Sequence, residues 1–129
     1  MRIALVDDCP NDLSIMHQFL AEALDTDSVI TEFHNGEDFL QHWSADTFDL
    51  IVLDIYMEKL TGIEIARVIR ETDPNVCLVF ATTSNEFASE SYEVNACYYL
   101  CKPFLKQQVL AMLDRIGQQN LEVSRTVLL

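Results

Sequence analysis

Three acidic residues in this sequence have positions that could bind a metal ion and a phosphate. Asp7 and Asp8 follow the apolar segment Arg2–Val6, and Asp54 follows the apolar segment Leu50–Leu53. Carboxylates about 5 Å apart repel one another by roughly 3 kcal/mol per pair at an effective dielectric of about 20, so such a cluster requires a proton or a cation. Mg²⁺ prefers oxygen ligands and keeps coordination positions for water and phosphate. The acids therefore predict a magnesium site, provided that the fold brings them together.

A lysine and two threonines occupy similar positions after two further apolar segments. Thr82 and Thr83 follow Val76–Ala81, and Lys102 follows Cys97–Leu100. A lysine ammonium can act as a point charge for phosphate oxygens, and a threonine hydroxyl can hydrogen-bond the same group. These residue types indicate phosphate chemistry beside the predicted metal.

Each acid also has a structural explanation. Acidic residues that follow strands often cap helices, and Asp8 lies just before a predicted helix. Taken singly, these residues fit capping or solvation at least as well as chemistry. Capping or solvation explains Asp54 less well, because Asp54 directly follows four apolar residues. Its carboxylate lies at the mouth of a strand and can serve as a nucleophile. The convergence of the acids, the threonines and the lysine on one edge favours the functional interpretation.

Short apolar segments alternate with segments of helical period along the whole chain. The strand candidates are Arg2–Val6, Val29–Phe33, Leu50–Leu53, Val76–Ala81 and Cys97–Leu100. The helix candidates are a segment that follows Pro10 and carries an apolar stripe to Leu24, and then Gly36–Trp43, Gly62–Glu71, Glu86–Glu93 and Leu105–Gln118.

This alternation predicts an α/β fold. Five strand–helix units imply a doubly wound parallel five-stranded sheet with right-handed crossovers and a flavodoxin-like (βα)5 strand order of 2-1-3-4-5. Ligands of such sheets bind beyond the carboxyl ends of the strands, between strands one and three. Asp7, Asp8 and Asp54 are predicted to lie there.

Composition limits the possible partners and compartments. The 129 residues suit one domain, and 21 acidic against 8 basic residues give a formal net charge of −13. Such a surface repels nucleic acid phosphates, so we expect no nucleic acid contact by this domain itself.

No apolar run approaches the roughly 20 residues that a membrane span needs, and two acids interrupt the amino-terminal segment before it could serve as a secretory signal. We therefore expect a cytoplasmic protein without membrane contact. In that compartment we expect the four cysteines to serve as small buried hydrophobic residues.

Five motifs in order resemble the response-regulator receiver domain of the CheY-like superfamily, over nearly all of residues 1–119. They are LVDD at 5–8, IVLDIYM at 51–57, TGIEIARVIR at 61–70, VFATTS at 79–84 and YLCKPF at 99–104. The resemblance implies a signalling domain rather than an enzyme, which accepts a phosphoryl group from a sensor histidine kinase in a two-component phosphorelay. Its own chemistry would be limited to self-phosphorylation and self-dephosphorylation.

The resemblance also implies roles for the acidic residues. Asp54 matches the phosphate-accepting aspartate, which forms an acyl phosphate. Asp8 matches the direct Mg²⁺ ligand and Asp7 the acid that holds the metal through water. The backbone carbonyl of Tyr56 matches a further metal ligand.

The remaining matched positions concern the phosphoryl group and the switch. Thr82, the backbone amide of Thr83 and the ammonium of Lys102 match the groups that contact the phosphoryl oxygens. Tyr99 matches the aromatic switch residue that turns inward when Thr82 moves. Pro103 follows Lys102 where this family has a cis peptide bond.

Within the family, the segment NEFASESYEVNACYYLCKPF at 85–104 resembles receivers attached to LytTR-type DNA-binding domains. This implies regulation of transcription through a domain outside this chain, with residues 120–129 as a linker or the start of that domain. It also implies a homodimer that forms on phosphorylation through the last two strand–helix units. The alternative is a stand-alone receiver, or a receiver-like interaction module that works without phosphorylation.

Two departures from the family pattern bear on chemistry. Glu58 stands where many receivers have proline, so the loop after Asp54 has one conformational restraint fewer. Tyr56 is bulky for its position, and we expect it to shield the acyl phosphate from water and to lengthen its lifetime.

Residues of the predicted site also argue against two rival functions. A haloacid-dehalogenase-like phosphatase would need a second aspartate where Tyr56 stands. A flavin-binding protein would need a Ser/Thr/Gly-rich turn after strand one, where Asp7 and Asp8 would repel the flavin phosphate.

Overall fold

The computed structural model describes the backbone of residues 1–128 and the side chains of residues 1–117. Five strands alternate with five helices along the chain. They are β1 (Arg2–Val6), α1 (Pro10–Ala23), β2 (Val29–Phe33), α2 (Gly36–His42), β3 (Leu50–Leu53), α3 (Gly62–Thr72), β4 (Cys77–Thr82), α4 (Ala88–Glu93), β5 (Tyr98–Cys101) and α5 (Lys106–Leu128).

The strands form one parallel sheet in the order β2-β1-β3-β4-β5. The predicted doubly wound α/β fold with this strand order is confirmed. β1, β3 and β4 lie inside the sheet and are apolar nearly throughout, because helices cover both of their faces. Within the described residues, no helix has both the length and the apolar character that crossing a membrane requires.

Alternate residues of the strands enter two separate core layers. On β1, Ala4 and Val6 belong to the layer under α2 and α3, whereas Ile3 and Leu5 belong to the layer under α1 and α5. Side chains of a strand point alternately to opposite faces, so one strand can hold both layers together. The second layer contains the stripes predicted on the first and last helices. They are Leu13, Met16 and Leu20 on α1, and Val109, Met112 and Ile116 on α5.

Local signals explain where several helices begin. Pro10 occupies the first turn of α1, Asn35 caps α2 by accepting a hydrogen bond from the amide of Asp38, and Thr61 and Glu64 form a reciprocal capping box at the start of α3. These interactions satisfy amide groups that a helix leaves unpaired at its first turn.

The last four elements differ from their predicted limits. β4 and β5 each lie one residue further along the chain than predicted, and α4 begins at Ala88 rather than Glu86. The helix α4 begins later than predicted because a turn precedes it, in which the amide of Ala88 donates a hydrogen bond to the carbonyl of Asn85. α5 continues past its predicted end at Gln118 to Leu128, because the intervening sequence contains no proline or glycine that would stop it. The assignment of residues 120–129 to a linker or second domain remains a prediction.

Gly62 is the point at which α3 approaches the end of β3 most closely. Its amide donates a hydrogen bond of 3.0 Å to the carbonyl of Ile55. A Cβ atom at this position would lie 2.2 Å from the backbone oxygen of Asp54. The absence of a side chain therefore lets the helix start beside the carboxyl end of the strand.

Replacing Gly62 with alanine should lower the free energy of unfolding by about 1–3 kcal/mol, since the clash is with backbone that must shift. The matched control is Gly117→Ala in α5, where an added Cβ meets nothing within 4 Å. The control should raise the free energy of unfolding by about 0.5–1 kcal/mol, because alanine loses less conformational entropy in a helix. Urea denaturation of both variants measures this, and equal effects of the two substitutions would contradict the proposed backbone clash.

Candidate functional site

Neighbouring strands bring the three predicted acids together. Val6 is paired with Leu53 across β1 and β3, so the residues that follow them emerge side by side. Carboxylate oxygens of Asp7, Asp8 and Asp54 all lie within 4.8 Å of one another. Asp7 and Asp54 are buried, whereas Asp8 is exposed. The arrangement is a carboxylate cluster open to solvent on one side.

Backbone amides hold the two buried carboxylates in place. The amide of Cys9 donates to Asp7 at 2.9 Å, and the amide of Tyr56 donates to Asp54 at 3.3 Å. Cys9 occupies the cap position of α1, and no side chain among residues 1–117 caps the amides of that helix. Helix capping therefore does not explain the position of Asp8.

Lys102 lies inside the cluster of acids. Its Nζ atom is 2.6 Å from Asp7, 2.8 Å from Asp12 and 3.5 Å from the Oδ2 atom of Asp54, and only 8% of its side chain is exposed. Its amide donates to the carbonyl of Thr82 at 2.7 Å, and the peptide bond that joins it to Pro103 is cis. The ammonium is thus held between β1, α1 and the carboxyl end of β3.

Sequence reasoning missed Asp12. It lies in the first turn of α1, four residues past the end of the LVDD motif that drew attention to this segment. Its position on the first turn of a helix that starts directly after Asp7 and Asp8 was the available signal, because that turn must lie above the end of β1.

The pKa values show the excess of negative charge. Burial and the charge of Asp7 raise the pKa of Asp54 to about 6, and the opposing charge of Lys102 only partly offsets them. For Lys102, burial favours a lower pKa, but hydrogen bonds to Asp12 and Asp7 outweigh it and raise the pKa above that of a free lysine. One ammonium does not neutralise this group of carboxylates, so the donor set fits a hard divalent cation such as Mg²⁺.

Thr82 presents a buried hydroxyl to the same end of the sheet. It is the last residue of β4 and is fully buried, and its Oγ1 atom has no hydrogen-bond partner among the described residues. A buried hydroxyl without a partner costs about 1–3 kcal/mol, so such atoms are concentrated where a partner arrives during function. Thr83 follows immediately and is exposed, which leaves its backbone at the mouth of the site.

Tyr56 connects the loop after β3 to the segment before α4. Its hydroxyl donates to the carboxylate of Glu86 at 2.9 Å, and its ring meets that of Phe87 edge to face with centroids 5.5 Å apart. The side chain is 42% exposed, and the backbone amide of the same residue donates to the Asp54 carboxylate. Glu86 and Phe87 were predicted as part of a helix and not as site residues, because their contact with Tyr56 joins positions about thirty residues apart.

Tyr99 lies on β5 with a half-buried ring. The ring packs against Phe80 at a centroid distance of 6.3 Å, and the hydroxyl donates to the backbone carbonyl of Ser84. This bond ties the predicted switch residue to the loop that follows Thr82.

Comparisons with known proteins agree with this geometry. A family model described as the response regulator receiver domain matches residues 3–114. The chain is 34% identical over 119 residues to the sensory transduction protein LytR of Staphylococcus epidermidis, which covers 90% of this chain and 46% of the relative. It is 26% identical to the transcriptional regulatory protein NatR of Bacillus subtilis, over 96% of this chain and 53% of the relative. The chain therefore spans about half the length of these curated relatives.

Solved structures give the same result. A BeF3-activated DrrB receiver domain superposes with a TM-score of 0.77 at 32% identity, over 91% of this chain and 97% of that one. The response regulator DrrB from Thermotoga maritima superposes with a TM-score of 0.78 at 30% identity, over 92% of this chain and 53% of that one.

Replacing Asp54 with asparagine should stabilise the protein in the absence of divalent cations. A folded-state pKa above the unfolded value of 3.8 means that the native state binds the extra proton, so stability falls as pH rises between those two values. Allowing for solvent screening, the gain should be about 1–2 kcal/mol above about pH 7 and should vanish below about pH 4. Urea denaturation in EDTA across this pH range measures it.

Asp49→Asn is the control of opposite sign. The hydrogen bond from Arg2 lowers the pKa of Asp49, so its charged form stabilises the fold, and that contribution is lost as pH falls. This variant should be less stable than the parent at neutral pH. An Asp54→Asn variant that is also less stable than the parent there would show that the cluster is not strained by its charge.

Proposed function

Because this chain belongs to the response regulator receiver domain family, we propose that it accepts a phosphoryl group on Asp54 from a sensor histidine kinase, with Mg²⁺ bound beside it. The observation that supports this most is the cluster itself. Carboxylates of Asp7, Asp8 and Asp54 within 4.8 Å of one another face a buried lysine that contacts two of them. A fold without phosphoryl chemistry has no evident use for this unbalanced charge.

Four groups would hold the metal. Asp8 and Asp54 would bind directly, Asp7 would bind through water, and the backbone carbonyl of Tyr56 would complete the protein ligands. The amide of Tyr56 already bonds the Asp54 carboxylate, so the backbone at this residue passes close to the cluster. When bound, Mg²⁺ supplies positive charge that offsets the charge on the transferring phosphoryl oxygens.

The transfer uses Asp54 as a nucleophile. One carboxylate oxygen attacks the phosphorus of the phosphohistidine, the bond from phosphorus to the histidine nitrogen breaks, and an acyl phosphate forms on the aspartate. Lys102 is 3.5 Å from the Oδ2 atom of Asp54 and can pair with a phosphoryl oxygen. The backbone amide of Thr83 donates to another oxygen.

Thr82 then couples the site to the rest of the domain. Its unpartnered hydroxyl gains a hydrogen-bond acceptor in the phosphoryl group, which favours a different arrangement of the loop after β4. That loop carries Ser84, whose carbonyl accepts the hydroxyl of Tyr99. Movement of the loop removes this acceptor, so Tyr99 turns inward and α4 shifts. The whole rearrangement is a population shift driven by local contacts.

The output follows from the relatives. LytR, LytT and NatR are named as sensory transduction or transcriptional regulatory proteins, and each is about twice the length of the region it shares with this chain. We propose that the receiver controls transcription through a LytTR-type DNA-binding domain, and that residues 120–129 lead into it. With a formal charge of −13, this domain repels DNA, so the attached domain makes the contact. A cytoplasmic location is part of the same proposal.

Incubation with Mg²⁺ and acetyl phosphate, followed by intact mass measurement, tests the central claim. The wild-type protein should gain one phosphoryl group, while Asp54→Ala and wild type in EDTA should gain none. Asp114→Ala removes an exposed acid on α5 and should be phosphorylated like wild type. A wild-type protein that stays unmodified, also with a purified histidine kinase, would favour an interaction module that works without phosphorylation.

Replacing Tyr56 with asparagine should shorten the lifetime of the acyl phosphate severalfold. Glu86 and Phe87 contact the Tyr56 side chain, and we propose that this side chain restricts the approach of water to the phosphorus. The decay of phosphorylated protein after removal of acetyl phosphate measures the rate. Tyr92→Asn, on the exposed surface of α4, is the matched control. An unchanged or slower decay for Tyr56→Asn would refute the shielding role.

Phosphorylation should also produce a homodimer through the last two strand–helix units. Leu110 on α5 is 42% exposed and contributes apolar surface to this face. Size-exclusion chromatography with light scattering should show a larger mass after phosphorylation, and Leu110→Ser should weaken that change. Val68→Ser removes a similarly exposed side chain from α3 and should leave the dimer intact. Equal loss in both variants would contradict an interface on this face.

A further inference from the structure

Two cysteines lie side by side at the end of the sheet opposite the carboxylate cluster. Cys77 is the first residue of β4, and Cys97 comes just before β5. The pairing of Val79 with Tyr98 sets the register, and the amide of Cys97 donates to the carbonyl of Leu78 at 2.7 Å. Cys77 on β4 is therefore one residue out of register with Cys97, which lies in the segment that leads into β5.

This placement suits a covalent bond between them. A strand spacing of about 4.8 Å and a rise of about 3.3 Å per residue put their Cα atoms about 5.8 Å apart. Disulfides form with Cα separations of about 4.4–6.8 Å, so this separation lies within the range that a disulfide can span. Both side chains pack against the core layer under α1 and α5, which places them on the same face.

The two thiols are chemically unequal. Both are free and partly buried, and each lies close enough to the other to shift its pKa. The neighbouring Cys77 thiol, with help from the nearby Arg70 guanidinium, lowers the pKa of Cys97 despite burial, whereas the neighbouring Cys97 thiol and burial raise the pKa of Cys77. Cys97 is thus the more readily ionised of the two, and thiolates are the nucleophilic form.

Arg70 also fixes the backbone on both sides of the pair. Its guanidinium donates to the carbonyls of Val94 at 2.7 Å and Asn95 at 3.1 Å, just before Cys97. A third bond of 3.1 Å reaches the carbonyl of Asp73, which precedes β4. One side chain therefore holds the segments that lead into the two cysteines in a fixed relation.

We propose that Cys77 and Cys97 form a dithiol that hydrogen peroxide converts to an intramolecular disulfide. The Cys97 thiolate attacks one peroxide oxygen, the O–O bond breaks, and hydroxide leaves and takes up a proton as water. The sulfur is now a sulfenic acid. The sulfur of Cys77 attacks it, the S–O bond breaks, a second water leaves with the thiol proton, and the S–S bond forms. The two thiols supply the two electrons that reduce one peroxide to two waters.

The disulfide would join β4 to the segment between α4 and β5, two residues before Tyr99. It lies about 17 Å from Thr82 along β4, at a rise of about 3.3 Å per residue. Oxidation is therefore independent of the phosphoryl site, and its success or failure does not depend on the function of Asp54.

Treatment of the full chain with hydrogen peroxide, then intact mass and peptide mapping without reduction, tests the proposal. The protein should lose the mass of two hydrogens, give a peptide linked from Cys77 to Cys97, and return to its starting mass with dithiothreitol. The double variant Cys9→Ser, Cys101→Ser leaves the pair untouched and should behave like wild type. Asp54→Ala should do so too, which separates this result from any failure of phosphorylation.

A second variant identifies which sulfur reacts first. In Cys77→Ser the sulfenic acid on Cys97 has no partner and should be trapped by dimedone, whereas Cys97→Ser should give far less adduct on Cys77. The proposal is overturned if peroxide forms no link in the Cys9→Ser, Cys101→Ser variant. It is equally overturned if the mapped link in wild type joins other cysteines or two chains.

Discussion

The charge balance around Lys102 governs this structure. One buried ammonium contacts Asp7, Asp12 and Asp54, and Asp8 adds a further negative charge within reach of the same space. The lysine offsets part of the repulsion but leaves the pKa of Asp54 raised to about 6. The site is therefore short of positive charge, which is the condition that favours binding of a divalent cation.

The rest of the fold maintains this imbalance. Parallel pairing of β1 with β3 places the acids together, and the contact of Gly62 with the backbone of Asp54 keeps α3 close behind them. The raised pKa of Asp54 means that its negative charge costs stability in the folded protein. Functional sites commonly carry such a cost, while the remaining layers of the sheet supply the stability.

The loops around β4 connect the site to the surface. Thr82 places an unpartnered hydroxyl at one end of this strand, the following loop accepts the Tyr99 hydroxyl through Ser84, and Glu86 holds Tyr56. At the other end of the strand, Arg70 binds the segment between α4 and β5, and the Cys77–Cys97 pair lies beside it. The short helix α4 thus lies between two sets of contacts, each of which can bias its position.

The sequence by itself determined the strands, their parallel order and the acidic end of the sheet. Apolar runs such as Leu50–Leu53 have the length and composition of buried strands, and a residue that follows such a run must emerge at the carboxyl edge. This local rule placed Asp54 beside Asp7 without any knowledge of side-chain contacts.

Tertiary structure decided what touches these residues. Asp12 reaches Lys102 across 90 residues of sequence, and Glu86 reaches Tyr56 across 30. The neighbour of Cys97 across the sheet is Cys77, because strand register rather than sequence spacing sets neighbours. Contacts of this kind depend on how helices and loops pack over the sheet, and no local pattern encodes that packing.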